Sequence, residues 1–96
     1  MVIESAPVIR VYSKTPCVQC NAVKKKLDKE GATYEVVDIS LPENAGDLEA
    51  LKELGYMNVP VTFVNDHHFY GYEINELSDA IARQRRAAMH VVEDAA

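Results

Sequence analysis

Two β-branched runs separated by one helix-length segment restrict this chain to a small set of folds. Val8–Ile9–Arg10–Val11–Tyr12 stops at polar Ser13–Lys14 and reads as a buried strand. Thr33 to Ile39 (Thr-Tyr-Glu-Val-Val-Asp-Ile) reads as a second strand. Between them, Thr15 and Pro16 offer a cap and a first-turn proline, and a helix-compatible run follows up to Gly31. Cys20, Val23 and Leu27 recur on one face of that helix, while Lys24, Lys25, Lys26 and Lys29 fall on its solvent side and in its C-terminal half, where cations suit the helix dipole. Strand, helix and strand in such close succession imply a parallel pair joined by a right-handed crossover.

The remainder extends the pattern. Ser40-x-x-Glu43, with Pro42 between, has the form of a capping box for a second helix reaching about Leu54 and closed by Gly55, with Ala45, Leu48 and Leu51 as its inward stripe. Val61 to Val64 forms a third strand, Asn65–Asp66 a turn, and His67 to Gly71 a fourth strand that completes a hairpin. A third helix is expected over roughly Asn75 to Ala88, with Leu77 and Ile81 inward. The order β-α-β-α-β-β-α defines an α/β domain with a four-stranded mixed sheet and three helices. With 96 residues and no repeat or linker, residues 1–96 read as one domain, its core about 8–88 and its tail 89–96 of weak periodicity and expected to fray.

Charge and composition exclude several functions. A net charge of −5 favours solubility and argues against a nucleic-acid partner. No stretch approaches the roughly 20 apolar residues that cross a bilayer, so no membrane role is expected. The first residues, Met1 to Pro7, lack a basic segment followed by an apolar run, which points to a cytoplasmic protein rather than a secreted one. Two cysteines are too few for a stapled extracellular scaffold.

Those two cysteines carry the chemistry. Cys17-Val18-Gln19-Cys20 lies where the first strand hands over to the first helix. Backbone N–H groups at a helix start lack intrahelical partners and present partial positive charge, which favours a thiolate. Cys17 is therefore expected to be the nucleophile, with Lys14 adding favourable charge. Cys20, one turn inward, is expected to resolve the mixed disulfide that forms at Cys17. The competing reading is a non-catalytic module in which the pair holds zinc or an iron–sulfur cluster, or senses redox state. A structural zinc site needs four ligands at knuckle spacing, and neither the adjacent His67 and His68 nor distant His90 offers it. Val59–Pro60, just before a strand, is the second informative feature. With a cis bond there, Val59 would present its backbone N–H and C=O to an incoming extended peptide.

Three stretches carry a family resemblance: Val11-Tyr12-Ser13-Lys14-Thr15-Pro16-Cys17-Val18-Gln19-Cys20-Asn21-Ala22, Val37-Asp38-Ile39-Ser40, and Leu54-Gly55-Tyr56-Met57-Asn58-Val59-Pro60-Val61. Over about Val8 to Ile81 the chain resembles the glutaredoxin-like proteins of the thioredoxin fold, and most of all the NrdH-type redoxins, electron donors to class Ib ribonucleotide reductase. The resemblance implies the thioredoxin fold, a cis Pro60, a nucleophilic Cys17 and a resolving Cys20. It further implies a cytoplasmic monomer with no bound cofactor, reduced by NADPH through thioredoxin reductase and passing electrons to ribonucleotide reductase. Lys14, Val59, Pro60, Gly71 and Tyr72 would then contact the partner. NrdH redoxins usually carry Trp-Ser-Gly-Phe-Arg-Pro after the hairpin, and glutathione-using glutaredoxins a Gly-Gly pair followed by an acidic residue. Here Phe69, Gly71 and Tyr72 fit the first frame, whereas Glu73 and Ile74 replace its Arg-Pro and Tyr70 replaces the first glycine of the second. Glu73 is expected to cap the third helix with its carboxylate. Tyr56, Met57 and Phe69 are expected as an apolar rim around the cysteines. The alternative within the family is a glutathione-dependent glutaredoxin.

Overall fold

The computed structural model describes the backbone of residues 7–95 and the side chains of residues 7–87. Its first strand, β1 (Ile9–Ser13), is the second in a four-stranded sheet of order β2-β1-β3-β4. The others are β2 (Tyr34–Asp38), β3 (Val61–Val64) and β4 (His67–Tyr70). β1 pairs in parallel with β2, with Val11 opposite Val36, and antiparallel with β3, with Val11 opposite Thr62. β3 and β4 form the expected hairpin, its turn at Asn65 taking a φ of 55°, a conformation asparagine tolerates better than most residues.

Three helices, α1 (Val18–Lys29), α2 (Ala45–Glu53) and α3 (Ile74–Ala95), cover the sheet. Strand side chains alternate between the two faces. Ile9, Val11, Val64 and Phe69 pack with Val23 and Leu27 of α1 and Leu77, Ala80 and Ile81 of α3 in one core. Tyr12 and Val61, on the opposite face, pack with Leu51 of α2, Cys20 and Val59 in a second. This second core lies directly under the cysteine pair.

Several local expectations are corrected. Thr15 and Pro16 do not start α1. The cap is Cys17, in extended conformation, while the Thr15 hydroxyl donates instead to the Asp38 carboxylate at 3.0 Å. The capping box at Ser40 does not form, because Ser40 turns back and gives both its N–H and its hydroxyl to Asp38. Pro42–Asn44 then winds as a short 3-10 helix before α2 begins, so Ala45 ends up exposed and Leu51 is the buried residue of that helix. The second strand is one residue shorter at each end than expected, and β4 ends at Tyr70, which leaves Gly71 beyond it. α3 runs well past Ala88 to Ala95, since no glycine or proline interrupts Ala82 to Ala95. Ala96 and the side chains of the tail lie outside the described residues, as does the segment Met1 to Ala6.

Candidate active site

Cys17 and Cys20 are joined by a disulfide with their Cα atoms 5.2 Å apart. The bond closes the first turn of α1. Cys17 is the residue just ahead of that helix, and its Sγ accepts the backbone N–H of Cys20 at 3.2 Å. Its carbonyl accepts from Asn21 N–H at 3.1 Å. No acidic residue stands in the first turn, so the positive end of the helix dipole faces the Cys17 sulfur without a compensating carboxylate. Cys17 is partly exposed, while Cys20 is fully buried among Tyr12, Leu51, Val59 and Val61. The two cysteines thus differ in burial, the outer one partly exposed and the inner one backed by the core.

The loop ahead of Cys17 is tied to β2. Besides the Thr15 hydroxyl, the Asp38 carboxylate accepts the Ser40 hydroxyl and the Ser40 N–H at 2.9 Å, the second of these closing an Asx turn. These bonds, the Ser40 hydroxyl foremost, hold the Asp38 carboxyl below the usual carboxylate range. The Asp38 carbonyl in turn accepts the Asn44 amide at 2.8 Å, which links the start of α2 to the same point.

Val59–Pro60 is a cis peptide, as the family resemblance implied, and so is Thr15–Pro16. Val59 and Pro60 are both buried. The Pro60 carbonyl accepts Gly71 N–H at 2.8 Å, which brings the end of the hairpin to the same side. Gly71 has a φ of +86°, and a Cβ built there would stand 3.4 Å from Gln19 Oε1, so the Gln19 side chain of the Cys-x-x-Cys motif lies over Gly71. Lys14 and Val59 line a hollow of about 100 Å³ with Leu51, Tyr56, Met57 and Asn58. The structure therefore brings Cys17, Cys20, Lys14, Val59, Pro60 and Gly71 to one end of the sheet. Tyr72 is exposed just past Gly71, without a hydrogen bond among the described residues. A larger hollow of about 500 Å³, lined by Pro7, Gly31, Tyr34, Ile81, Gln84 and Arg85, includes no residue of the cysteine motif.

The expected apolar rim is only partly realised. Phe69 faces the α1–α3 core and is buried, because β4 alternation sends it to the opposite face from His68. Met57 is 85% exposed, and Tyr56 is half-buried with its hydroxyl 2.6 Å from His68 Nδ1. His68 also stacks on Phe63, so it serves as a packed hairpin residue. Glu73 contributes its backbone carbonyl, which accepts Leu77 N–H at 2.9 Å, to the first turn of α3, and its carboxylate makes no hydrogen bond among the described residues. Among those residues, no cluster of three or more His, Cys, Asp or Glu side chains is placed to hold a metal ion. Asp38 and Asn58 were not singled out from the sequence. An Asp at a strand end followed two residues later by Ser, and an Asn ahead of Val-Pro, are the local signals that mark them.

A mixed four-stranded sheet that sets a cysteine pair at the first helix start defines a thiol–disulfide oxidoreductase of the thioredoxin fold. The glutaredoxin family model matches residues 9–69. The chain belongs to the glutaredoxin family, among its NrdH-type members. It is 33% identical over 76 residues to the glutaredoxin-like protein NrdH of Escherichia coli strain K12, covering 75% of this chain and 90% of that protein. A glutaredoxin of Ricinus communis is 38% identical over 69 residues, covering 70% of this chain and 68% of the relative. Among solved structures, the NrdH-redoxin of Escherichia coli, described as having a thioredoxin-like activity profile, superposes with a TM-score of 0.70 at 25% identity, covering 75% of this chain and 92% of that one.

Proposed function

We propose that the protein is a cytoplasmic, monomeric dithiol electron carrier of the NrdH type, reduced by NADPH through thioredoxin reductase and serving class Ib ribonucleotide reductase. In the reduced protein, the Cys17 thiolate attacks one sulfur of a substrate disulfide. A Cys17–substrate disulfide forms, and the other substrate sulfur leaves as a thiolate. Cys20 then gives its proton to solvent and attacks Cys17 Sγ, which releases the second substrate thiolate and leaves the Cys17–Cys20 disulfide. Two electrons pass to the substrate, and no bound cofactor takes part. The disulfide of the present structure corresponds to the end of that cycle.

The observation that carries this reading is the Cys20 N–H aimed at Cys17 Sγ from a helix start without acidic residues, with Cys20 itself buried behind it. That arrangement favours the charged form of the outer sulfur and keeps the inner one neutral until it is needed. Val59 beside Pro60 offers the backbone edge on which an extended substrate peptide pairs. Lys14 supplies a cation at the same hollow, Gly71 lies against Gln19 of the motif, and the exposed Tyr72 follows it in the chain. The NrdH relatives support the choice of reductant and substrate, as does Tyr70 at the position of the first glycine of a glutathione site, where a small tripeptide needs a missing side chain.

The test couples the protein to NADPH oxidation in the presence of a disulfide substrate. One arm supplies thioredoxin reductase, the other glutathione with its own reductase. The first arm turns over briskly and the second slowly. The reverse result makes the chain a glutathione-dependent glutaredoxin, a reading that the resemblance to the Ricinus communis protein favours.

A further inference from the structure

The backbone donor best placed to receive a substrate peptide is already occupied. Within Tyr56–Pro60, Pro60 has no N–H, and its carbonyl is held by Gly71 N–H at 2.8 Å. From Val61 onward the chain is paired as β3. Val59, whose side chain is buried and fixed in the second core with Cys20, immediately precedes the cis Pro60 and is the backbone edge on which the proposed substrate pairing rests. Its N–H nevertheless donates to the Oδ1 of the neighbouring Asn58 at 3.0 Å. Asn58 itself is exposed, and Val59 N–H is the hydrogen-bond partner its side chain has among the described residues.

From this geometry we infer that Asn58 is a built-in placeholder for a substrate carbonyl. Its side-chain oxygen occupies the acceptor position over Val59 N–H in the empty protein and swings out when a peptide backbone takes its place. The role sets specificity, because only a disulfide embedded in a peptide brings a carbonyl to that donor. A substrate carbonyl and Asn58 Oδ1 are chemically equivalent amide acceptors, so binding exchanges one hydrogen bond for another instead of adding one. The placeholder also keeps a half-buried N–H satisfied between turnovers. This inference rests on the proposed pairing of substrate along Val59.

The test measures second-order rate constants for oxidation of the fully reduced protein by two disulfides. One is the symmetric disulfide of an N-acetylated, C-amidated tripeptide with a central cysteine. The other is bis(2-hydroxyethyl) disulfide, which has no amide. Asn58→Ala removes the competitor, so the peptide disulfide reacts faster by about two- to ten-fold, the factor one net hydrogen bond is worth. The hydroxyethyl disulfide reacts at the wild-type rate. Asn58→Asp, a stronger acceptor of nearly the same shape, slows the peptide disulfide more than the hydroxyethyl disulfide, whose rate reports the effect of the added charge on Cys17, and carries the test with the opposite sign if the alanine variant folds poorly. An unchanged or slower peptide reaction in Asn58→Ala overturns the inference, as does an equal change with both disulfides, which is what a merely structural turn residue produces. A wild-type protein that reacts with neither disulfide overturns the proposed chemistry itself, and the placeholder falls with it.

Discussion

Thr62 carries the one buried side-chain oxygen without a hydrogen-bond partner among the described residues, and its replacement by valine has a calculable effect. The residue is fully buried in the middle of β3, opposite Val11 on one side and Phe69 on the other. Its hydroxyl gave up water on folding and received no hydrogen bond in return, a desolvation cost of about 1–3 kcal/mol. Valine keeps the β-branched shape that suits a strand and replaces the hydroxyl with a methyl group that loses nothing on burial. Thr62→Val is therefore expected to stabilise the oxidised protein by about 1–3 kcal/mol, and each kcal/mol raises the Tm of a domain of this size by about 4–8 °C. Urea denaturation is the assay, with a higher midpoint and an unchanged slope as the signature. Disulfide reduction should proceed at the wild-type rate, since the side chain points into the α1–α3 layer away from the cysteines. A lower midpoint would refute the reasoning, because it would mean that the hydroxyl has a partner in solution, such as a buried water.

The reduced Cys17 thiol should titrate below the ordinary thiol value of about 8.5, read from thiolate absorbance near 240 nm with Cys17→Ser as the blank; a normal or raised value removes the helix-start argument. Asp38 supplies a pH dependence. Its carboxyl is held low in the folded state by the Ser40 hydroxyl and N–H and the Thr15 hydroxyl, so its stabilising contribution is present in full above the unfolded value of about pH 4 and fades as pH falls through the lower folded value. Asp38→Asn should flatten that acid limb of stability, measured by thermal unfolding across acidic buffers, and an unchanged limb would show that the carboxylate carries no such linkage.

Much of this arrangement is legible in the amino-acid pattern because it depends on residue type and spacing within one element. The β-branched run of β1, the three- and four-residue spacing of Cys20, Val23 and Leu27, and the turn at Asn65 are local signals that the packed core reinforces. The misreadings come where one polar side chain had two suitable partners. Ser40 satisfies a capping-box pattern and also sits two residues after Asp38, and the aspartate wins because it gathers the Ser40 N–H, the Ser40 hydroxyl and the Thr15 hydroxyl at one carboxylate. The same carboxylate draws Thr15 out of the cap position and leaves it to Cys17, which puts the reactive sulfur rather than a hydroxyl at the helix start. Phe69 departs from its expected place for a different reason: an aromatic residue in the last strand of the hairpin faces away from the cysteines once β4 alternation is counted from His68. Asn58 is harder to read, because its contact is to the backbone of its own neighbour and only its place ahead of Val-Pro marks it.

The division of labour between the two sulfurs is tested most directly by trapping the intermediate. Reduced Cys20→Ser protein, mixed with the tripeptide disulfide and analysed intact by mass spectrometry, should accumulate one peptide per chain, bound through Cys17 and stable until an external thiol is added. A Cys20→Ser protein that carries no peptide, or that releases reduced peptide as fast as the wild type, would contradict a nucleophilic Cys17 resolved by Cys20.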